Sequence, residues 1–112
     1  MSHPTARPEA RFADLTAAMI EELGVTLGSG KRGFGSATLQ VDGRIFAMLV
    51  GGRLVVKLPR PRVDALVAAG AGERFDPGHG RVMKEWLVAG DALDDRWRDI
   101  ADEARAFVGG TR

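Results

Sequence analysis

Cysteine and tyrosine are both absent from this chain of 112 residues, and aromatic residues make up only 6% of it. Without cysteine there are no disulfides and no thiolate metal sites, and a reducing, cytoplasmic setting is expected. Without tyrosine, and with few other aromatics, there is little material for a surface that stacks nucleic-acid bases. No apolar run approaches the roughly 20 residues of a membrane-spanning helix, so no membrane partner is expected. Met1 to Arg11 is polar, carries two prolines and lacks the apolar core of a signal peptide. Charge of one sign is also missing: 16 basic residues against 15 acidic give a net +1, without the strong basic footprint of a dedicated nucleic-acid binder. Histidine is limited to His3 and His79, which rules out a histidine-rich metal site, and neither a metal nor a cofactor is expected.

What the chain does have is strand and turn chemistry. Asp42-Gly43 separates Ala37–Val41 from Arg44–Val50, and Gly51-Gly52 leads on to Arg53–Leu58. Asp-Gly and Gly-Gly supply the positive φ angles of two-residue hairpin turns, and β-forming apolar residues flank both. This predicts a three-strand antiparallel meander. Upstream, Phe12, Leu15, Met19 and Leu23 recur at helical spacing, which predicts a helix over 9–23 stopped by Gly24. Val25–Leu27 reads as a short extended piece, and Gly28 to Gly35 as a glycine-rich loop. Downstream, Pro59-Arg60-Pro61 ends the sheet and opens a short helix with Val63, Leu66 and Val67 on its buried side. Glu73–Phe75 reads as a brief extended segment, Asp76–Gly80 as a turn, and Val82–Ala89 as a further long strand. The last helix reads as capped by Asp91, with Leu93, Trp97, Ile100, Ala101, Ala104, Phe107 and Val108 on one stripe. Helix, meander, helix, strand, helix is an α+β pattern: a single two-layer domain over 9–110, with helices flanking an antiparallel sheet and a disordered tail over 1–8.

Two-residue turns set the expected register. Val41 stands opposite Arg44, Leu39 opposite Phe46 and Ala37 opposite Met48; across the second turn, Val50 faces Arg53, Met48 faces Val55 and Phe46 faces Lys57. Side-chain alternation then puts Ala37, Leu39, Val41, Phe46, Met48, Val50 and Val55 on one face. The other carries Ile45, Ala47, Leu49, Leu54, Val56 and Leu58, with Thr38 and Gln40 toward the edge. Both faces are apolar, and three helices in so short a chain cover one better than the other. The charged ends Arg44, Arg53 and Lys57 mark the Phe46–Met48 face as the one left over. Leu39, Phe46, Met48 and Val55 are therefore the candidate partner-binding residues, for a protein partner or a second copy of the chain.

Catalytic constellations are thin. Gly28-Ser29-Gly30-Lys31 invites a phosphate-loop reading, but Val25 stands where the motif needs its first glycine and Arg32 where it needs Ser or Thr. The stretch reads better as a connector. A general base needs a positioned partner, and no motif locks one to His79, which reads as a turn histidine. Trp86 and Trp97 sit among apolar neighbours, as core residues do. The carboxylates and arginines of Asp91 to Arg105 interleave as a solvated helix face. Lys57, Arg60 and Arg62 form the densest basic cluster, and with His79, Arg81 and Lys84 they are the candidate contacts for an anion or nucleic acid.

Phe34-Gly35, then Asp42-Gly43-Arg44-Ile45-Phe46-Ala47, then Leu54-Val55-Val56-Lys57, in that order, resemble the TfoX amino-terminal domain family, which is akin to the small YjbR-like proteins. The hallmarks are a Phe-Gly before the first meander strand, an Asp-Gly hairpin, a Phe-Ala in the second strand and a strand ending in Lys. Phe75 to Trp86, with Met83 near the start of the last strand, fits as well. The resemblance implies an α+β domain with a curved antiparallel sheet and flanking helices. Its best-known members regulate natural competence alongside transcription factors and carry a second, C-terminal domain. The resemblance brings no catalytic residues with it. The expectation is a stand-alone, non-enzymatic binding or regulatory module acting through protein contacts. The alternative is a nucleic-acid-associated protein using the basic cluster, and a small-molecule enzyme built on His79 ranks last.

Overall fold

The structure is a computed structural model that describes residues 8–22, 24–29, 37–76 and 83–109. Helix α1 spans Pro8–Met19 and buries Phe12, Leu15 and Met19, three of the four residues of its expected stripe. Leu23, the fourth, lies outside the described residues, as do residues 1–7 of the tail expected over 1–8, whose last residue, Pro8, begins α1. Six strands follow: β1 (Val25–Ser29), β2 (Ala37–Val41), β3 (Arg44–Val50), β4 (Arg53–Lys57), β5 (Gly72–Phe75) and β6 (Met83–Ala89). Helix α2 (Arg60–Ala68) sits between β4 and β5, and α3 (Trp97–Val108) ends the fold.

The sheet runs in the order β1-β2-β3-β4-β6-β5 and every pairing is antiparallel. The meander is as expected. At its turns Asp42, Gly43, Gly51 and Gly52 have φ of 53, 83, 57 and 81°. Positive φ at both central residues matches the right-handed twist of the flanking strands. β1 extends the meander on one side and the β6–β5 pair on the other.

The second hairpin keeps the register its turn dictates, with Val50 opposite Arg53 and Met48 opposite Val55. In the first, Val41 faces Arg44 and Gln40 faces Ile45, but Leu39 then pairs with Ala47, Thr38 with Met48 and Ala37 with Leu49. Phe46 is an extra residue on β3, a bulge that breaks the alternation. Phe46 and Ala47 both enter the main core, and every residue of β3 before the bulge changes face relative to those after it.

The face assignment made from strict alternation is corrected accordingly. Leu39, Val41 and Phe46 join Ala47, Leu49, Leu54, Val56 and Leu58 in one cluster with residues from all three helices. Met48 and Val55 lie on the opposite face with Phe75 and Trp86, flanked by Ile45, Val50, Met83 and Val88. Helices thus cover one face, as expected. The other holds a smaller core of its own and is not an open patch.

The C-terminal segment also departs from expectation. Asp91 does not cap a long helix: Asp91–Leu93 forms a single 3-10 turn and α3 starts at Trp97. Arg53 donates to the Ala89 carbonyl at 3.2 Å and lies 3.7 Å from Asp91, so this corner is held to the β3–β4 turn. Trp97, Ile100, Ala101, Ala104 and Val108 are buried along α3, whereas Phe107 is 36% exposed.

Candidate functional site

None of the four candidate partner-binding residues is accessible: Leu39, Phe46, Met48 and Val55 are all fully buried. The bulge explains why two of them left the expected face, and Trp86, Phe75 and their neighbours enclose the two that stayed. A partner cannot touch them without opening the core. Phe46 is a stability residue, and truncating such a buried ring to Ala costs about 3–5 kcal/mol.

The basic cluster is partly dismantled too. Arg62 donates to both carboxylate oxygens of Glu103, at 2.9 and 3.0 Å, so α2 grips α3 through a two-pronged ion pair. That hydrogen-bonded carboxylate raises the Arg62 pKa above its ordinary value. His79 and Arg81 lie outside the described residues, as do Phe34, Gly35 and Lys31. Lys57, Arg60 and Lys84 stay available.

Arg11, Arg53, Arg62, Arg74, Arg96, Arg98 and Arg105 each lie within 4.0 Å of a carboxylate. Among the described residues, Arg44, Lys57, Arg60 and Lys84 have no such partner. These four are far apart in sequence, yet the topology collects them. Arg44 begins β3, Lys57 ends the antiparallel β4, Lys84 is the second residue of β6, which runs antiparallel to β4, and Arg60 opens α2 three residues after Lys57. All four stand at one end of the sheet. Asp42 and Glu85 are at this end as well, without forming an ion pair with any of them.

At this end lies a groove of about 490 Å³, lined by Gly43, Arg44, Ile45, Lys57, Met83, Trp86, Phe107 and Val108, so two of the four cations border it directly. β4 and β6 pair Lys57 with Trp86, and the Lys57 ammonium lies 5.6 Å from the centre of the Trp86 ring. That is within cation–π range and holds the lysine over the groove wall. Trp86 is 7% exposed, so its main role is packing, as expected. Phe107 supplies the groove's exposed apolar surface. The site therefore offers unneutralised positive charge beside aromatic and aliphatic surface, which suits an anionic group carried on an apolar body. Among the described residues, no three His, Cys, Asp or Glu side chains come together as metal ligands.

The basic half of this site was visible in the sequence through Lys57, Arg60 and Lys84. Arg44 was seen only as a strand end, and Met83 and Phe107 were not seen as lining residues at all. Phe107 sits at helical spacing with true core residues, and nothing local distinguishes it from them.

No described helix is long and apolar enough to cross a membrane. No curated protein and no solved structure matches the chain. The family model of the TfoX N-terminal domain matches residues 24–107, from the turn before β1 to the last turn of α3. That match spans most of the chain and takes in the whole described sheet, so the chain belongs to the TfoX N-terminal domain family.

Proposed function

We propose that this protein is a non-enzymatic binding module that acts through contact with another protein, at the groove between the 42–43 turn and the end of α3. The observation that carries this reading is the segregation of charge. Seven described arginines are neutralised within the fold, while Arg44, Lys57, Arg60 and Lys84 stand without an ion-pair partner at one end of the sheet, where Arg44 and Lys57 line an apolar-walled groove. Charge arranged in this way steers a complementary surface and fixes its register. Aromatic and aliphatic lining supplies the desolvated centre that a protein contact needs. The partner segment that fits is acidic with a large apolar side chain. A regulatory role of the kind associated with transcription is compatible with such a module.

The test is affinity capture from the native host with the wild-type protein and an Arg44→Glu/Lys57→Glu variant of unchanged thermal melt. Wild-type protein is expected to retain a specific partner that the variant loses. Identical capture by both overturns the reading.

The same four cations support a second reading, contact with nucleic-acid phosphates. Such binding weakens steeply as salt rises. Retention of a labelled duplex that is lost on Arg60→Ala/Lys84→Ala and falls with salt favours it. Absence of binding at low salt removes it.

A further inference from the structure

We propose that β1 is a dimerisation edge, at which two copies of this chain pair their β1 strands antiparallel about Leu27 and join two sheets into one. The two edges of the sheet are built differently. β5, at one edge, is four residues long, carries Glu73 and Arg74, shifts register between Arg74 and Phe75, and packs against α2, to which Arg74 is tied through Asp64 at 2.6 Å. Shortness, charge, a bulge and a covering helix are the devices by which proteins keep an edge from pairing. β1, at the other edge, is one residue longer, and among the described residues it has no charge, no bulge and no helix packed along it as α2 packs on β5. Its sequence, Val-Thr-Leu-Gly-Ser, holds no charge and no proline, and it pairs with β2 in unbroken register over five residues.

The backbone of β1 is oriented for this contact. The Gly24 carbonyl accepts from the Asp42 N–H, so Gly24 faces β2. Backbone groups alternate sides along a strand. Thr26 and Gly28 therefore also turn theirs toward β2, while Leu27 and Ser29 turn theirs outward. A two-fold axis at Leu27 lets the two Leu27 residues exchange both backbone hydrogen bonds.

The side chains fit the same partner. Leu27 stands opposite Leu39 of the helix-covered core but is itself 58% exposed, overhanging the core's rim. Ile20, in the turn after α1, is 41% exposed. With Phe107 these are the large hydrophobic side chains left exposed among the described residues, and Leu27, the most exposed of the three, lies on this edge. Pairing about Leu27 sets each Thr26 beside the other copy's Gly28, without steric crowding and without like charges meeting. A charged foreign strand would find no complement here, whereas a second copy does. The contact is small, below the ~1,200 Å² of a stable standard interface, so the dimer is weak and concentration-dependent.

Sedimentation over a wide concentration range tests this, read together with hydrogen exchange of the β1 amides. The expected mass rises from one chain to two, and exchange at the Leu27 and Ser29 amides slows in step. Leu27→Lys is expected to hold the mass at one chain with its circular dichroism unchanged, and Phe107→Ser to dimerise as the wild type does. A wild-type mass of one chain at every concentration overturns the proposal. So does an undiminished dimer in Leu27→Lys, or a dimer that Phe107→Ser abolishes. Should Leu27→Lys fail to fold, the wild-type exchange decides: a dimer whose Leu27 amide exchanges as freely as the monomer's is not formed through β1.

Discussion

Thr38 is the one polar residue fully buried among the described residues, and its Oγ1 has no hydrogen-bond partner. It sits mid-strand opposite Met48, on the face whose small core is Met48, Val55, Phe75 and Trp86. A buried hydroxyl left unbonded carries its desolvation cost uncompensated, about 1–3 kcal/mol. Thr38→Val keeps the shape and removes the hydroxyl. The variant is expected to be more stable by about 1 kcal/mol, a rise in Tm of roughly 4 °C for a domain of this size. A Tm that falls in a differential scanning experiment would show that the hydroxyl is satisfied. Position 38 also illustrates what a sequence reading sees at this scale. Alternation placed Thr38 toward a sheet edge. The structure instead places it between β1 and β3, because Val25–Ser29 forms a full strand that covers β2.

At the scale of elements, α2 and α3 are joined by Arg62 and Glu103, whose side chains are 44 and 42% exposed. Ion pairs so exposed contribute about 0.2–1 kcal/mol, and the bidentate geometry points to the upper part of that range. A double-mutant cycle with Arg62→Ala and Glu103→Ala is expected to return a coupling near 1 kcal/mol that shrinks as salt is added. The sign of its pH dependence follows from the raised Arg62 pKa. A basic group whose folded pKa lies above its unfolded value stabilises fully below the unfolded value and loses that contribution only as pH climbs through the folded one. For arginine that window lies in strong alkali, so on Arg62's account the coupling is flat through neutral pH. A coupling that grows with salt would contradict the ion-pair account. The elements themselves were largely legible. Asp42-Gly43 and Gly51-Gly52 announce both hairpins, and the apolar spacing of α1 and α2 gives their buried sides. The bulge at Phe46 was not legible. Nothing in Arg-Ile-Phe-Ala-Met marks which residue is extra, because all four after the arginine are apolar and either register buries them. That one residue undid the expected partner face, and with it the expected site.

For the whole molecule, β3 and β4 are the shared wall of two cores, one beneath the three helices and one on the opposite face. Each core has its own reporter: Trp97 belongs to the helix side and Trp86 to the other. A two-state domain unfolds with coincident transitions by every probe. Single-tryptophan variants, Trp86→Phe and Trp97→Phe, are expected to show fluorescence midpoints that coincide with the far-ultraviolet transition of the same variant. A Trp86 signal that melts earlier would mean that the smaller core opens on its own.

The pairing of β4 with β6 also sets the order in which the molecule can assemble. β2, β3 and β4 are joined by two-residue turns, so their contacts close loops of a few residues and cost little chain entropy. β6 reaches β4 only after α2 and β5 have been laid down between them. The meander is thus a template that forms early, and the β5–β6 pair is a late arrival that seals its open flank. Until it docks, β4 is a bare strand edge, and the interval before docking is when a newly made chain is most exposed to pairing with the wrong neighbour.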